Sequence, residues 1–377
     1  VAREIRVGMI GTRFMGRAHS NALIDVQHFY DLPVRPVLQV ACGRSAPDLQ
    51  RFAERFGWQA TETSWERLVE RDDVDLVDIS TSNATHYPIA VAAARRGKHI
   101  LCEKPLAMNT GEARQMLDAV REAGVTHMVA FNYRRVPALA LARQWIETGK
   151  IGKIYHFNAT YYQDWLVDPN FPITWRHDAG EAGSGAHGDL NAHIIDLGRY
   201  LVGEFEAVTA ARETFIGERP LADGSGRGPV TVDDAVSFLA RFRNGALGSF
   251  QATRLATGRK NMLRLEIFGS AGGLVFNLER LNELQFYSLA DTNTERGYRT
   301  VLVTEPEHPY LRAWWPTGHI LGWEHTFIHQ ARDLLVALGD QMPVAPDFYD
   351  GLRCQQVLDA ALQSCLDGRW ITIPEHE

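Results

Sequence analysis

Two stretches of the 377-residue chain carry side chains whose types and spacing could do chemistry. In Gly183-Ser184-Gly185-Ala186-His187-Gly188-Asp189-Leu190-Asn191-Ala192-His193, Asp189 and His193 stand four apart, and on a helix that spacing puts both on one face. A histidine changes charge near neutral pH and can take the proton of a hydroxyl; a carboxylate beside it orients the ring and stabilises its cation. The second stretch, Leu101-Cys102-Glu103-Lys104-Pro105, closes an apolar run from Lys98 that reads as a short strand. An ammonium on such a strand end can hold a substrate oxygen and stabilise negative charge growing on it. Lys104, Asp189 and His193 thus supply the protein side of the oxidation of a secondary alcohol, which also needs a hydride acceptor. Plainer readings exist for each: an N-cap for Asp189, a satisfied core position for His193, a solvated turn for Glu103-Lys104. Gly183, Gly185 and Gly188 shift the balance toward chemistry, because glycine lets backbone approach a ligand closely.

Just ahead of Asp189 come Gln163-Asp164-Trp165 and Trp175-Arg176, and Tyr133 lies further upstream. Aromatic faces stack on the C–H surface of a sugar while Gln, Asp and Arg bond its hydroxyls. The rival is that both tryptophans belong to a domain-interface core.

The elements that must position these groups fall into two halves. Arg6 to Ile10 reads as a buried strand running into Gly11-Thr12-Arg13-Phe14-Met15-Gly16 and then a helix to about Ile24. Strand, glycine turn and helix form the context of a dinucleotide site, with the helix N-terminus facing the pyrophosphate. Arg13 stands where the middle glycine is usual. The second strand, Val37 to Cys42, ends in Gly43-Arg44-Ser45 rather than in the acidic residue that holds the ribose of NAD. A guanidinium and a hydroxyl suit a 2′-phosphate, so the reading is NAD(P), with NADP favoured over NAD. Strands at 74–81, 98–102 and 127–131 alternate with helices at 47–56, 65–71, 88–95 and 112–123, the last capped by Thr110. Residues 1–131 therefore read as a Rossmann domain.

After Asn132 and a helix from Pro137 to Thr148, the pattern changes to alternating strands at 154–162, 207–214, 234–242, 246–253, 262–268, 273–277 and 283–287. A helix runs from Leu190 to Val202, with Asp189 at its N-cap or first turn. Gly217 to Gly228 reads as a loop, and helices at 323–338 and 349–366 close the chain. Residues 132–377 are thus expected to form a substrate-binding and oligomerisation domain. The fold class is α/β plus α+β, an N-terminal Rossmann domain followed by a large, mostly antiparallel open sheet with one face available to a partner subunit.

Composition sets outer bounds. A chain of this length is expected to form two domains, and 45% hydrophobic with 23% charged residues is usual for a soluble globular protein. A net charge of −7 argues against a nucleic-acid groove, and no window is apolar enough for a membrane span. The chain is expected to enter its first strand without a signal peptide ahead of it. Cys42, Cys102, Cys354 and Cys365 show no metal-ligand spacing; they fit a reducing cytoplasm, and no metal site is expected.

In order and spacing, these pieces resemble the Gfo/Idh/MocA oxidoreductases. The matching residues are Gly11 to Gly16, Thr81-Ser82-Asn83 to His86, Glu103-Lys104-Pro105 and Gly188-Asp189 to His193. Phe14 to Ser20, Phe131 to Arg135, Gln163 to Trp165, Trp175-Arg176 and Gly183 to Gly185 narrow the likeness to dehydrogenases of anhydrosugars and glycosides. The resemblance implies that Lys104, Asp189 and His193 are the catalytic group, with His193 the base and Lys104 polarising the substrate oxygen. It also implies that Thr81, Asn83, His86, Glu103 and Asn132, with Trp175 and Arg176, serve the cofactor. The sequence departs from the family pattern at Arg13 and at Ser82, where proline is common. The expected activity is reversible NAD(P)-dependent oxidation of a ring hydroxyl in a sugar, anhydrosugar, glycoside or cyclitol, by a homodimer or homotetramer. The rivals are an aldose or dihydrodiol dehydrogenase or ketose reductase of the same fold, and a dinucleotide-binding sensor without turnover in which Arg13 spoils productive placement of the cofactor.

Overall fold

The computed structural model describes residues 3–375. The chain divides into two compact units, Val1–Arg135 with Gly322–Arg353, and Val136–Leu321 with Cys354–Glu377.

The first unit alternates strand and helix: β1 (Arg3–Ile10), α1 (Phe14–Phe29), β2 (Val34–Cys42), α2 (Ala46–Phe56), β3 (Ala60–Glu62), α3 (Trp65–Glu70), β4 (Leu76–Ile79), α4 (His86–Arg95), β5 (His99–Cys102), α5 (Thr110–Ala123) and β6 (His127–Val129). The strands form one parallel sheet in the order β3-β2-β1-β4-β5-β6. Val7, Met9, Leu76, Val77, Ile79 and Ile100 are buried in it, as expected of strands covered on both faces. Helix ends follow local chemistry. Gly57 and Gly124 close α2 and α5 in the left-handed conformation, and the N-cap of α5 is Asn109, whose side chain accepts from Glu112 N. Thr110, expected from the sequence in that role, is instead the first helical residue. Strand order reverses between β1 and β4, and ligands bind beyond the carboxyl ends at such a switch point.

The second unit opens with α6 (Pro137–Glu147), proline in its first turn, and β7 (Ile154–Tyr162). A 3₁₀ turn (Trp175–His177), α7 (Ala179–Ala182), a π turn (His187–Asn191) and α8 (Ala192–Leu201) follow. Then come β8 (Phe205–Glu213), β9 (Glu218–Pro220), β10 (Arg227–Pro229), β11 (Ala235–Phe242), β12 (Leu247–Thr253), β13 (Met262–Gly269), β14 (Gly272–Asn277), β15 (Glu283–Ser288), β16 (Arg299–Leu302) and, near the C-terminus, β17 (Ile371–Thr372). The large sheet runs β16-β15-β14-β13-β7-β12-β11-β8-β17; only the β7–β12 pair among these is parallel. Phe157, Phe205, Phe242 and Phe250 form an aromatic core on one face. Gly198 of α8 lies against that core, where an added Cβ would stand 3.2 Å from the Phe205 ring.

Two expectations change. The stretch 217–228 is not a plain loop: β9 and β10 pair as a hairpin, and the buried Arg219 ties it down by donating to the carbonyls of Leu166 and Asp168 at 2.7 and 2.8 Å. The chain also returns to the first unit, where α9 (His325–Asp340) packs on α1 and β2. A boundary near residue 131 does not register that return. The division then falls within α10 (Phe348–Asp367). Among the described residues no helix is long and apolar enough to cross a membrane, and no cluster of His, Cys, Asp and Glu could hold a metal.

Candidate active site

In the first unit the glycine turn is shaped by two close approaches. Gly11 sits at φ +109°, and a Cβ there would lie 2.4 Å from the Ser80 carbonyl oxygen; one on Gly16 would lie 2.1 Å from the Gly11 oxygen. Neither position tolerates a side chain. Arg13 differs: it is the N-cap of α1 at φ −86° and its side chain is exposed, so the backbone there makes no demand for glycine. Thr12, Arg13, Phe14, Arg17, Arg44, Ser45 and Asp48 line a cleft of about 620 Å³ that Arg51 and Arg55 extend. Five arginines face one aspartate, whose carboxyl is held low by a hydrogen bond from Ser45 and by Arg51 and Arg13. Phe14, 60% exposed, stacks at 5.4 Å on Trp323 of the same unit. Met15 is half-buried in the first turn of α1, and Gly43 follows β2 with its N–H on the Glu62 carbonyl.

Past β4, Ser82 adopts φ −72° and ψ 151° at the head of a 3₁₀ turn, Asn83–Thr85. That φ is the value proline imposes, so serine keeps the same backbone. The Thr85 hydroxyl reaches Thr81 Oγ1 at 2.7 Å. Asn83 and His86 are buried, and His86 Nδ1 donates to the Pro105 carbonyl at 3.0 Å. Burial lowers the His86 pKa, keeping the ring neutral. Glu103 is buried beside the half-buried Lys104, and its Oε2 accepts the Lys104 N–H at 3.1 Å. On the far side Glu103 Oε1 meets His19 of α1, which also binds Asp78. Sequence reasoning alone assigns neither His19 nor Asp78 a role. Asn132 donates to Thr326 at 2.7 Å, and the hydroxyl of buried Tyr133 lies 3.4 Å from Trp323 Nε1.

In the second unit Asp189 is not an N-cap. It lies inside the π turn, and α8 proper begins at Ala192. The glycines ahead of it serve packing. A Cβ on Gly185 would stand 1.8 Å from the Asp233 carbonyl oxygen, and the Asp233 carboxylate accepts from Gly185 N and His187 N at 2.9 and 2.8 Å. The close approach expected for a ligand is thus, at Gly185, an approach to Asp233. The Asp189 carboxylate pairs with Arg254 Nη2 at 2.7 Å; the arginine side chain is 3% exposed and the aspartate 29%. Arg254, just beyond β12, carries no signal in the sequence that singles it out. It also lies over the Trp165 ring at 5.6 Å.

Around this pair the structure assembles polar and aromatic groups. Trp165 Nε1 donates to Gln163, whose amide donates to Asn261, and Tyr161 donates to the same Asn261 oxygen. Tyr161 also packs at 5.9 Å on the buried His193. Trp165 stands edge-on to Phe171, and Arg176 stacks on Trp175 at 4.4 Å. Asp164 accepts from Lys260 at 2.7 Å and from Gly258 N, and the Lys260 hydrogen bond leads in holding its carboxyl below the usual range. Gln163, Trp165, Asp189 and His193 are therefore neighbours in one network of contacts, with Asp164 bound to Lys260 at its margin and Trp175-Arg176 in the adjoining turn.

A parallel sheet in this order, a glycine turn at its switch point and a lysine beyond a neighbouring strand define a dinucleotide-dependent oxidoreductase. The comparisons agree. The model for the oxidoreductase family with an NAD-binding Rossmann fold matches residues 5–131, and that for the GFO/IDH/MocA C-terminal domain matches residues 139–275. The chain belongs to the Gfo/Idh/MocA family of oxidoreductases. It is 44% identical to levoglucosan dehydrogenase of Pseudarthrobacter phenanthrenivorans over 387 residues, covering 99% of each chain. Among solved structures it is similar to an oxidoreductase domain protein from Kribbella flavida, with 50% identity and a TM-score of 0.96 over 99% of this chain and 100% of that one. It is also similar to levoglucosan dehydrogenase in complex with NADH and levoglucosan, with 45% identity and a TM-score of 0.96 over 99% and 100%.

Proposed function

We propose that this chain oxidises a ring hydroxyl of a sugar, anhydrosugar, glycoside or cyclitol to a ketone, reversibly, with NAD(P). The observation that carries the reading is the pair formed by buried Arg254 and half-buried Asp189, set among Trp165, Gln163, Tyr161 and His193, in a chain similar throughout to a levoglucosan dehydrogenase. Apolar ring faces and convergent hydrogen-bonding groups suit a polyol.

A dinucleotide in the first unit is supported by the glycine turn at the head of α1, held close by Gly11 and Gly16, and by the arginine-lined cleft beside it. The nicotinamide, when bound, supplies the hydride acceptor. In this reading Lys104 holds the substrate oxygen and stabilises the charge that grows on it. His193 takes the hydroxyl proton, and Asp189, paired with Arg254, stabilises the resulting cation. Removing the base or the lysine should lower kcat by about 100-fold or more. The test is turnover of levoglucosan, myo-inositol and simple glucosides, followed through reduced nicotinamide absorbance. Lys104→Ala or His193→Ala enzyme with full activity would overturn the assignment.

The cofactor reading extends to NADP, supported by the five arginines beside Ser45 where an acidic residue would select NAD. A second copy of this chain is the proposed partner, through the open face of the nine-stranded sheet, where Leu239 and Leu247 are about half exposed. A cytoplasmic setting is proposed from four cysteines that form no disulfide.

A further inference from the structure

We propose that His19 is a positioning residue: as an imidazolium clamped between the carboxylates of Asp78 and Glu103, it fixes Glu103 and, through it, the backbone of Lys104. All three side chains are buried, at 2%, 1% and 5% exposure, and they come from α1, β4 and the end of β5. His19 Nδ1 lies 2.9 Å from both Asp78 oxygens, and Nε2 lies 3.1 Å from Glu103 Oε1. Carboxylates only accept, and a neutral imidazole has a single N–H. One of the two contacts would then set lone pair against lone pair in a buried site, whereas the doubly protonated ring satisfies both. Burial opposes the cation, but the charges and hydrogen bonds of Asp78 and Glu103 outweigh it and push His19 up to about 10. Ser80 Oγ adds a third donor by bonding Asp78 Oδ1 at 3.0 Å. The second oxygen of Glu103 accepts the Lys104 N–H. The helix that starts at the glycine turn is thereby tied to the strand end that carries the lysine.

The ring's charge is tested on the intact protein with ¹⁵N-labelled histidine. His19 should keep both ring nitrogens protonated at pH 8, where an ordinary histidine is neutral; a ring that titrates near pH 6.5 overturns the clamp. The positioning role, which rests on the function proposed for Lys104, is tested by a kcat cycle. His19→Gln should lower kcat about tenfold or more, since small misplacements near reacting groups are costly. In a Glu103→Gln background the same change should add less than about twofold, because its route is already cut. Losses that multiply mean that His19 acts by another path, and the proposal falls. Lys104→Ala separates the two readings. If it retains turnover, the catalytic reading fails whatever His19 does; if it is inactive while His19→Gln is normal, only the positioning role fails.

Discussion

Replacing Arg254 with methionine tests the organisation of the candidate site without presuming its substrate. Methionine approximates the aliphatic stem but takes the guanidinium away from Asp189. Breaking a fully buried ion pair by removing one partner costs about 3–5 kcal/mol. Arg254 meets that description, but Asp189 at 29% exposure can recover part of its hydration. A loss of about 1–3 kcal/mol is therefore expected, of which the stacking over Trp165 contributes about 0.5–1 kcal/mol. A double-mutant cycle with Asp189→Asn isolates the pair, read by urea unfolding through intrinsic tryptophan fluorescence. Arg254→Met/Asp189→Asn should be more stable than Arg254→Met, because the carboxylate charge is gone with its cation. The coupling should exceed about 1 kcal/mol, and kcat/KM should fall in both single variants. A coupling below about 0.5 kcal/mol would place the pair with ordinary surface contacts and remove the reason for giving Arg254 a part in holding Asp189.

Stability should fall on both sides of neutrality for identifiable reasons. Burial holds His329 down to about 3, so below about pH 6.5 the unfolded chain takes up a proton that the native state refuses, costing about 1.4 kcal/mol per pH unit; His329→Gln should flatten that acid slope in urea titrations, and an unchanged slope refutes the cause. His19 has the opposite sign. Its raised pKa gives stability that is complete below about pH 6.5 and lost as pH climbs toward 10, and His19→Gln should erase that alkaline loss. Arg44→Ala should weaken NADP by about 10–150-fold more than NAD, the worth of one charge-assisted contact to a 2′-phosphate; equal losses by calorimetry would refute the 2′-phosphate role.

Local patterns are legible in the sequence and distant pairings are not. The β1 turn announces itself because strand, glycine and helix follow one another within the chain, and the Asp189–His193 spacing is visible as a number. Arg254 is 65 residues from Asp189 and looks like any cation after a strand; only the sheet brings it back. His19 sits in plain view inside α1, but its partners lie 59 and 84 residues on and meet it because β4 and β5 are neighbours in the sheet. The hairpin within 217–228 is hidden for a similar reason. Its Gly and Pro content says loop, and what fixes it is Arg219 reaching the Leu166 and Asp168 carbonyls some fifty residues away. The spacing of Asp189 and His193 predicts a regular first helical turn; the Asp233 carboxylate gathers the backbone N–H groups of Gly185 and His187 just ahead of it, and residues 187–191 form a π turn.

The departure at Arg13 shows why a motif should be judged by position rather than by count. Each glycine of the turn answers a different physical demand. Gly11 is needed for its φ of +109° and for the Ser80 carbonyl at 2.4 Å from any Cβ, and Gly16 for the approach of helix to turn. The middle position has a φ of −86°, outside the left-handed region that favours glycine, and its side chain faces solvent. Its side chain instead joins Arg17, Arg44, Arg51 and Arg55 around a cleft that suits an anion. Arginine at that position therefore gives no support to a sensor with a spoiled site: it leaves the glycine turn intact and adds a charge of the sign that a dinucleotide's phosphates require.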